Sequence, residues 1–298
     1  MRALVALLFV AATSCSLSNE DSVETMGVRA PYRTAIDDHP CPAEKEGATA
    51  ARRAIARVRA MAGLPALRCD AAASAAALGH CRYITANGEL THVQTPGRPQ
   101  FTGVTFADRL AAASFGDQPA TEVLANISGA LVIDGARGFI NSVYHRAPFL
   151  RTEATSFGYG EDAACSTIDF GRPPEAKRSP ERTVLWPPDG SVNVPTTFWS
   201  GNELPNPVPG TTTVGSPISL IREAPLTGVT AEIVGPKGPL PAVLLTHKDD
   251  PNKLVRLGEA HLVPRAPLAP ATQYTARFAF RAGGTSITTT TTFTTGDD

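Results

Sequence analysis

The sequence predicts an α+β chain in two parts, a mixed α/β unit followed by an all-β sandwich. Three observations carry this. Helical apolar stripes interleave with strand-like pieces up to about residue 171, without the regular βα alternation of a parallel sheet. Beyond residue 180 the helical stripes vanish, and short β-rich runs alternate with Pro and Gly turns. Between the two lies GRPPEAKRSP, residues 171–180, a linker by composition. The length of 298 residues suits two domains of about 100–150 residues each.

The first helix is expected over 50–62, with Ile55, Val58 and Met61 inward and Arg52, Arg53, Arg57 and Arg59 on a solvated face; Gly63 and Pro65 end it. Asp70 caps a second helix whose inner stripe is Ala73, Ala76, Ala77, His80, Cys81 and Ile84, and Asn87-Gly88 closes it. On that stripe His80 reads as a structural core histidine. A Gly-, Pro- and Thr-rich loop, 91–105, carries His92, and Thr105-x-x-Asp108 forms a capping box for the next helix. Residues 121–127 read as an extended β-branched segment bearing Glu122. In FINSVYHRAPFL, Ala136, Phe139, Ile140 and Val143 make a helical stripe that delivers His145 and Arg146 at its end, with Pro148 stopping it. Strands are expected at 155–159 and 166–170.

In the second part, β-rich runs fall at 184–186, 196–199, 216–221, 230–234, 242–246, 260–264, 272–281 and 286–295. Eight runs at this spacing suggest a β-sandwich. The threonine run 288–292 fits a strand because threonine is β-branched. Leu268-Ala-Pro270 followed by Gln273-Tyr274 resembles a tyrosine corner. WPPDGSVNVPTTF and LAPATQYTARF…TFTTG resemble bacterial Ig-like modules, which implies an Ig-like sandwich over 183–297 after a linker at 172–182.

Net charge is −1, with no basic stripe, so binding to nucleic acid through phosphate neutralisation is not expected. The N-terminus reads as a targeting segment: Arg2, an apolar run from Leu4 to Ala12 too short to span a bilayer, then small residues before Cys15. This resembles a bacterial lipoprotein signal over 1–15 with Cys15 as the lipid anchor, the alternative being an ordinary secretory signal cut nearby, and a tether follows over 16–46. Export is expected, to the outer membrane or the extracellular space, with membrane contact through the anchor alone. Four further cysteines, Cys41, Cys69, Cys81 and Cys165, read as two disulfides in an exported chain. If 70–87 is one helix, Cys69 and Cys81 stand about 18 Å apart along it, which makes theirs the least favoured pairing, and Cys165 must reach back to the early helices.

His92, Glu122 and His145, two imidazoles and a carboxylate from three segments, form the candidate metal or polar cavity, a donor set that suits zinc with a position open for water. The order AGLPALRCDAAASAAALGHCRYITANG, THVQTPGRPQFTGVTFADRLAAASF, TEVLANIS, NSVYHRAPFL and SFGYG resembles the CAP superfamily (cysteine-rich secretory proteins, antigen 5, pathogenesis-related 1) across Gly47–Gly171. That resemblance implies an α-β-α sandwich and a cavity of two histidines and two acids. By motif, His92 and His145 are the histidines and Glu122 the first acid. The second acid is not apparent; Asp108 is a substitute that its capping box already explains. Arg146 is a possible clamp for a carboxylate or phosphate, or a salt bridge fixing its own loop.

There is no GxSxG elbow, HExxH helix, CxxC pair or phosphate-binding glycine loop. The expected role is therefore non-enzymatic: an envelope module binding a lipid, glycan, peptidoglycan or protein, with the Ig-like part as spacer or adhesive arm. The alternative is a hydrolase in which a divalent metal such as zinc activates water at His92, Glu122 and His145.

Overall fold

A computed structural model describes residues 33–34, 36, 40–41, 46–127, 131–135, 137–174 and 181–297. Cys15, the 1–15 signal, most of the 16–46 tether and residues 175–180 of the linker lie outside the described residues.

The first unit is a three-layer α-β-α sandwich. Its helices are α1 (Glu46–Met61), α2 (Ala71–Asn87), α3 (Phe106–Ala112) and two single turns, α4 (Leu131–Asp134) and α5 (Ala147–Leu150). Its sheet has the order β1-β3-β4-β2, built from β1 (Arg68–Cys69), β2 (Gln118–Ala125), β3 (Ser156–Asp162) and β4 (Cys165–Arg172). Only β1 and β3 run parallel. One face packs on α1, α4 and α5 through Ile55, Val58, Phe149, Phe157, Ile168 and Phe170. The other packs on α2 and α3. There the Asp70 side chain accepts from the N–H groups of Ala72 and Ala73, and Gly88 closes α2 in the left-handed region at φ 67°.

Contact between α2 and β3 explains the two glycines of SFGYG. A Cβ on Gly158 would run into the backbone of Ala73 and Ser74, and one on Gly160 into that of Ala77 and Leu78. Helix α2 lies flush on β3 because its buried stripe is alanine, at Ala73, Ala76 and Ala77. Helix backbone cannot yield as a flexible side chain does. Gly160→Ala is therefore expected to cost about 3 kcal/mol or more, seen as a lowered denaturation midpoint. Two disulfides, Cys41–Cys69 and Cys81–Cys165, tie the layers together, the second joining α2 to β4.

In the second unit, a five-stranded sheet has the order β11-β10-β14-β15-β6, a four-stranded sheet β12-β13-β9-β5, and β7 pairs with β8. The strands are β5 (Val184–Trp186), β6 (Ser191–Val194), β7 (Thr197–Phe198), β8 (Val214–Gly215), β9 (Ile218–Ile221), β10 (Thr227–Gly235), β11 (Gly238–Pro239), β12 (Ala242–Thr246), β13 (Glu259–Pro264), β14 (Gln273–Ala282) and β15 (Thr285–Thr295). The two larger sheets face each other over Ile218, Leu220, Ile233, Leu262, Tyr274, Phe278 and Phe293. Strand β14 buries every second residue, Tyr274 to Ala282, as a half-buried strand should. The Tyr274 hydroxyl accepts from the backbone N–H of Ala269 at 2.9 Å, so the loop before β14 is tied to the strand as the sequence suggests.

The outer face of the four-stranded sheet is buried as well. Val184, Trp186 and Ile221 join the core of the first unit, and Val143 joins a cluster with Phe198, Val214, Leu245 and Val263. Arg151 Nε donates to Glu259 at 2.8 Å, and Tyr144 Oη donates to Asp250 at 2.5 Å. The second unit is thus not an arm held away by a linker; it is packed against the first.

Three expectations change at this interface and beside it. Ala136 lies outside the described residues, and residues 137–145 do not form a helix. Phe139–Asn141 is a 3-10 turn between Gly138 and Ser142, and the N–H groups of Val143, Tyr144 and His145 donate to the Glu203 carboxylate rather than to carbonyls one turn back. Pro148 does not stop a helix but sits in the first turn of α5, where its missing N–H costs nothing. The arginines of α1 are not all solvated. Arg52 and Arg59 are buried, and Arg59 donates to the carbonyls of Pro65, Phe149, Arg151 and Ala154. Burial pulls its pKa down to about 9. Among the described residues no helix is long and apolar enough to cross a membrane.

Candidate functional site

His92 lies on the loop between α2 and α3, and the loop is shaped from within by Gln94. The Gln94 amide is fully buried; its Oε1 accepts from the Thr102 N–H at 2.7 Å, its Nε2 donates to His80 Nδ1 at 3.0 Å, and its own N–H donates to the Val104 carbonyl at 2.9 Å. The other His80 nitrogen, Nε2, donates to the Thr91 carbonyl at 2.7 Å. This network assigns His80 as a neutral ring protonated on Nε2. Burial agrees, since it pulls the His80 pKa down to about 4. His80 is the structural residue the sequence suggests.

Glu122 projects from β2 beneath this loop. Its Oε1 accepts from His92 Nδ1 at 2.8 Å, and its Oε2 accepts from Arg109 Nη2 of α3. Arg109 also donates to the His92 carbonyl at 3.2 Å, so one guanidinium fixes both the carboxylate and the loop. Burial alone would raise the Glu122 pKa, but the His92 hydrogen bond and the Arg109 charge outweigh it and hold the group below the ordinary glutamate value. Directly across the sheet, paired with Glu122, stands Asp169 of β4. It is fully buried, neither carboxyl oxygen has a hydrogen-bond partner, and burial beside the Glu122 charge raises its pKa well above the ordinary value.

The result is an oriented imidazole. The His92 side chain is 54% exposed, and its Nδ1 is committed to a buried carboxylate. Such a ring can exchange a proton or a hydrogen bond with a ligand at a fixed position. The same loop presents Leu90, Val93, Phe101 and Val104 to solvent. Among the described residues no serine or cysteine hydrogen-bonds the His92 ring.

His145 is elsewhere. Its Nδ1 lies 2.8 Å from Glu203 Oε1 of the second unit, and its ring stacks on Phe139 with centroids 5.3 Å apart. The structure thus joins His92 to Glu122 and gives His145 a different carboxylate. Asp108 is exposed and its side chain is spent on the Thr105 capping box. Arg146 is buried and donates to the Ile140 and Pro217 carbonyls at 2.6 Å and to Ser219 Oγ at 3.0 Å, so it fixes the interface rather than clamping a ligand.

A zinc ion does not fit this set. Both Glu122 oxygens are taken, one of them by a guanidinium that would repel a cation, and His145 is paired away from His92. Among the described residues no group of three or more His, Cys, Asp or Glu side chains is arranged to hold a metal. The metal-dependent hydrolase is therefore set aside.

Sequence reasoning missed Glu203, Asp169 and the role of Gln94. Asp169 had a signal, since it alternates with apolar Ile168 and Phe170 on a strand. Glu203, in a turn rich in Gly, Asn and Pro, had none.

Residues 52–165 match the family model described as the cysteine-rich secretory protein family, CAP. A solved structure of an extracellular protein containing an SCP domain from Bacillus anthracis is similar to this chain at 27% identity, with a TM-score of 0.35. The match covers 40% of this chain and 38% of that one, so it concerns a part of each protein. No curated protein matches the sequence.

Proposed function

From the CAP domain over residues 52–165 we propose that this chain is an exported, envelope-anchored binding protein, with Cys15 as its lipid anchor and the loop around His92 as its binding face. The observation that carries this reading is the pairing of an exposed His92, its ring oriented by buried Glu122, with exposed Leu90, Val93, Phe101 and Val104 on the same loop. A polar group at a fixed position on a loop that also exposes apolar side chains supplies orientation and contact area together. Two disulfides support export, because such bonds persist in oxidising compartments. The packed sheets and the bond between Tyr274 and Ala269 support reading the second unit as Ig-like, in the role of a rigid support.

The test is co-sedimentation of the purified chain with peptidoglycan sacculi and, separately, with phospholipid vesicles. Retention by one of them, cut about tenfold by Val93→Asp and Phe101→Asp, is the expected result and says whether the ligand is glycan or lipid. Neither side chain belongs to a core cluster. Release of soluble fragments from sacculi, or no retention by either, would overturn the reading.

A further inference from the structure

The contact between the two units has the form of a bound ligand. Three consecutive backbone N–H groups, of Val143, Tyr144 and His145, converge on the Glu203 carboxylate at 2.9, 2.8 and 3.0 Å, and the His145 ring adds a fourth contact at 2.8 Å. All four come from one tripeptide of the CAP unit. Successive N–H groups turned inward make an anion-binding concavity, and the imidazole makes it selective for an acceptor at one oxygen.

Glu203 enters this concavity from outside. Of residues 201–205, only Glu203 is buried; Gly201, Asn202, Leu204 and Pro205 are exposed, Leu204 at 72%. A turn that is otherwise in solvent thus dips one carboxylate into the neighbouring unit. The surroundings differ from those of the Glu122 cluster, since no arginine or lysine side chain bonds this carboxylate among the described residues. The site recognises a carboxylate by directed hydrogen bonds, as a ligand pocket does.

We propose that Val143–His145 is a carboxylate-binding site of the CAP unit and that Glu203 is its resident intramolecular ligand. The ligand class is a small carboxylate, or the side-chain or terminal carboxylate of a peptide. It also answers the question of the second acid. In this chain the acid beside His145 is supplied by the second unit. The site takes an exogenous carboxylate only when Glu203 is removed or withdrawn.

Chemical rescue tests this on the full chain. In Glu203→Ala the cavity keeps its donors and loses its acid. Sodium acetate at about 100 mM should raise the melting temperature of this variant by several degrees over sodium chloride at the same ionic strength, saturably, as a ligand that binds the native state must. Wild type and Glu203→Gln, whose cavities stay filled, should not respond beyond the chloride control. Adding His145→Ala to Glu203→Ala should weaken the acetate response about tenfold in concentration. If Glu203→Ala does not fold in chloride, it should fold in acetate. An equal acetate response in wild type, or failure to fold in both salts, overturns the proposal.

Discussion

Glu122→Leu is expected to lower the stability of the chain by about 3–5 kcal/mol, the usual cost of leaving one member of a buried ion pair alone. The stranded partner is Arg109, whose side chain is fully buried and whose Nε already lacks a hydrogen bond. His92 loses its orienting carboxylate in the same step. Urea denaturation measures the loss as a shift in midpoint at constant slope. Adding Arg109→Met should recover most of it, because two apolar side chains leave no charge behind. If Glu122→Leu is as stable as the parent, the pair is not a closed buried unit.

Acid acts on the same cluster with a definite sign. The folded pKa of Glu122 lies below its ordinary 4.5, so its contribution is complete above that pH and is lost as pH falls through the folded value. The difference between wild type and Glu122→Leu should therefore shrink in acid. His80 and His261 act earlier. Each is pulled from 6.5 to about 4, so each contributes stability that begins to fall below pH 6.5, at about 1.4 kcal/mol per pH unit.

The second large effect concerns the boundary between the units. A chain ending at Arg172 is expected to lose its cooperative thermal transition and its near-ultraviolet circular dichroism. Such a chain lacks Val184, Trp186 and Ile221 from its main core and bares Val143 to water. It also strands the buried guanidinium groups of Arg146, which donate to Pro217 and Ser219, and of Arg151, which donates to Glu259. A first unit that melts cooperatively without residues 181–297 would show that the interface is an adhering surface and not a shared core.

Local signals were legible in the sequence. Asp70, Gly88 and the Thr105–Asp108 box end their helices where the residue types say they should, because capping is settled within a few residues. The cysteine spacing disfavoured a Cys69–Cys81 bond, which does not form, and the threonine run forms part of β15. What was not legible is long-range. Phe139, Ile140 and Val143 mimic a helical stripe because they are buried, but Val143 is buried by the second unit rather than by its own. Arg59 looked solvated because nothing near it in sequence reveals the four carbonyls that receive it. His145 was expected beside Glu122, but its carboxylate partner is Glu203, 58 residues away, in a turn with no pattern of its own.

The four-stranded sheet has interior on both faces, and this bears on how such a chain can change over time. Ser219, Glu259 and His261 alternate with Leu220, Ala260 and Leu262, so one strand pair answers to two neighbours through opposite sides. Exchanging the second unit for another sandwich by recombination at 175–180 would bring new residues against Arg146 and Arg151. Only partners carrying an acid opposite Arg151 and acceptors opposite Arg146 would be accepted. Segment 139–151 and the outer face of β9 and β13 therefore form a single unit of inheritance, and substitutions on one side call for compensation on the other.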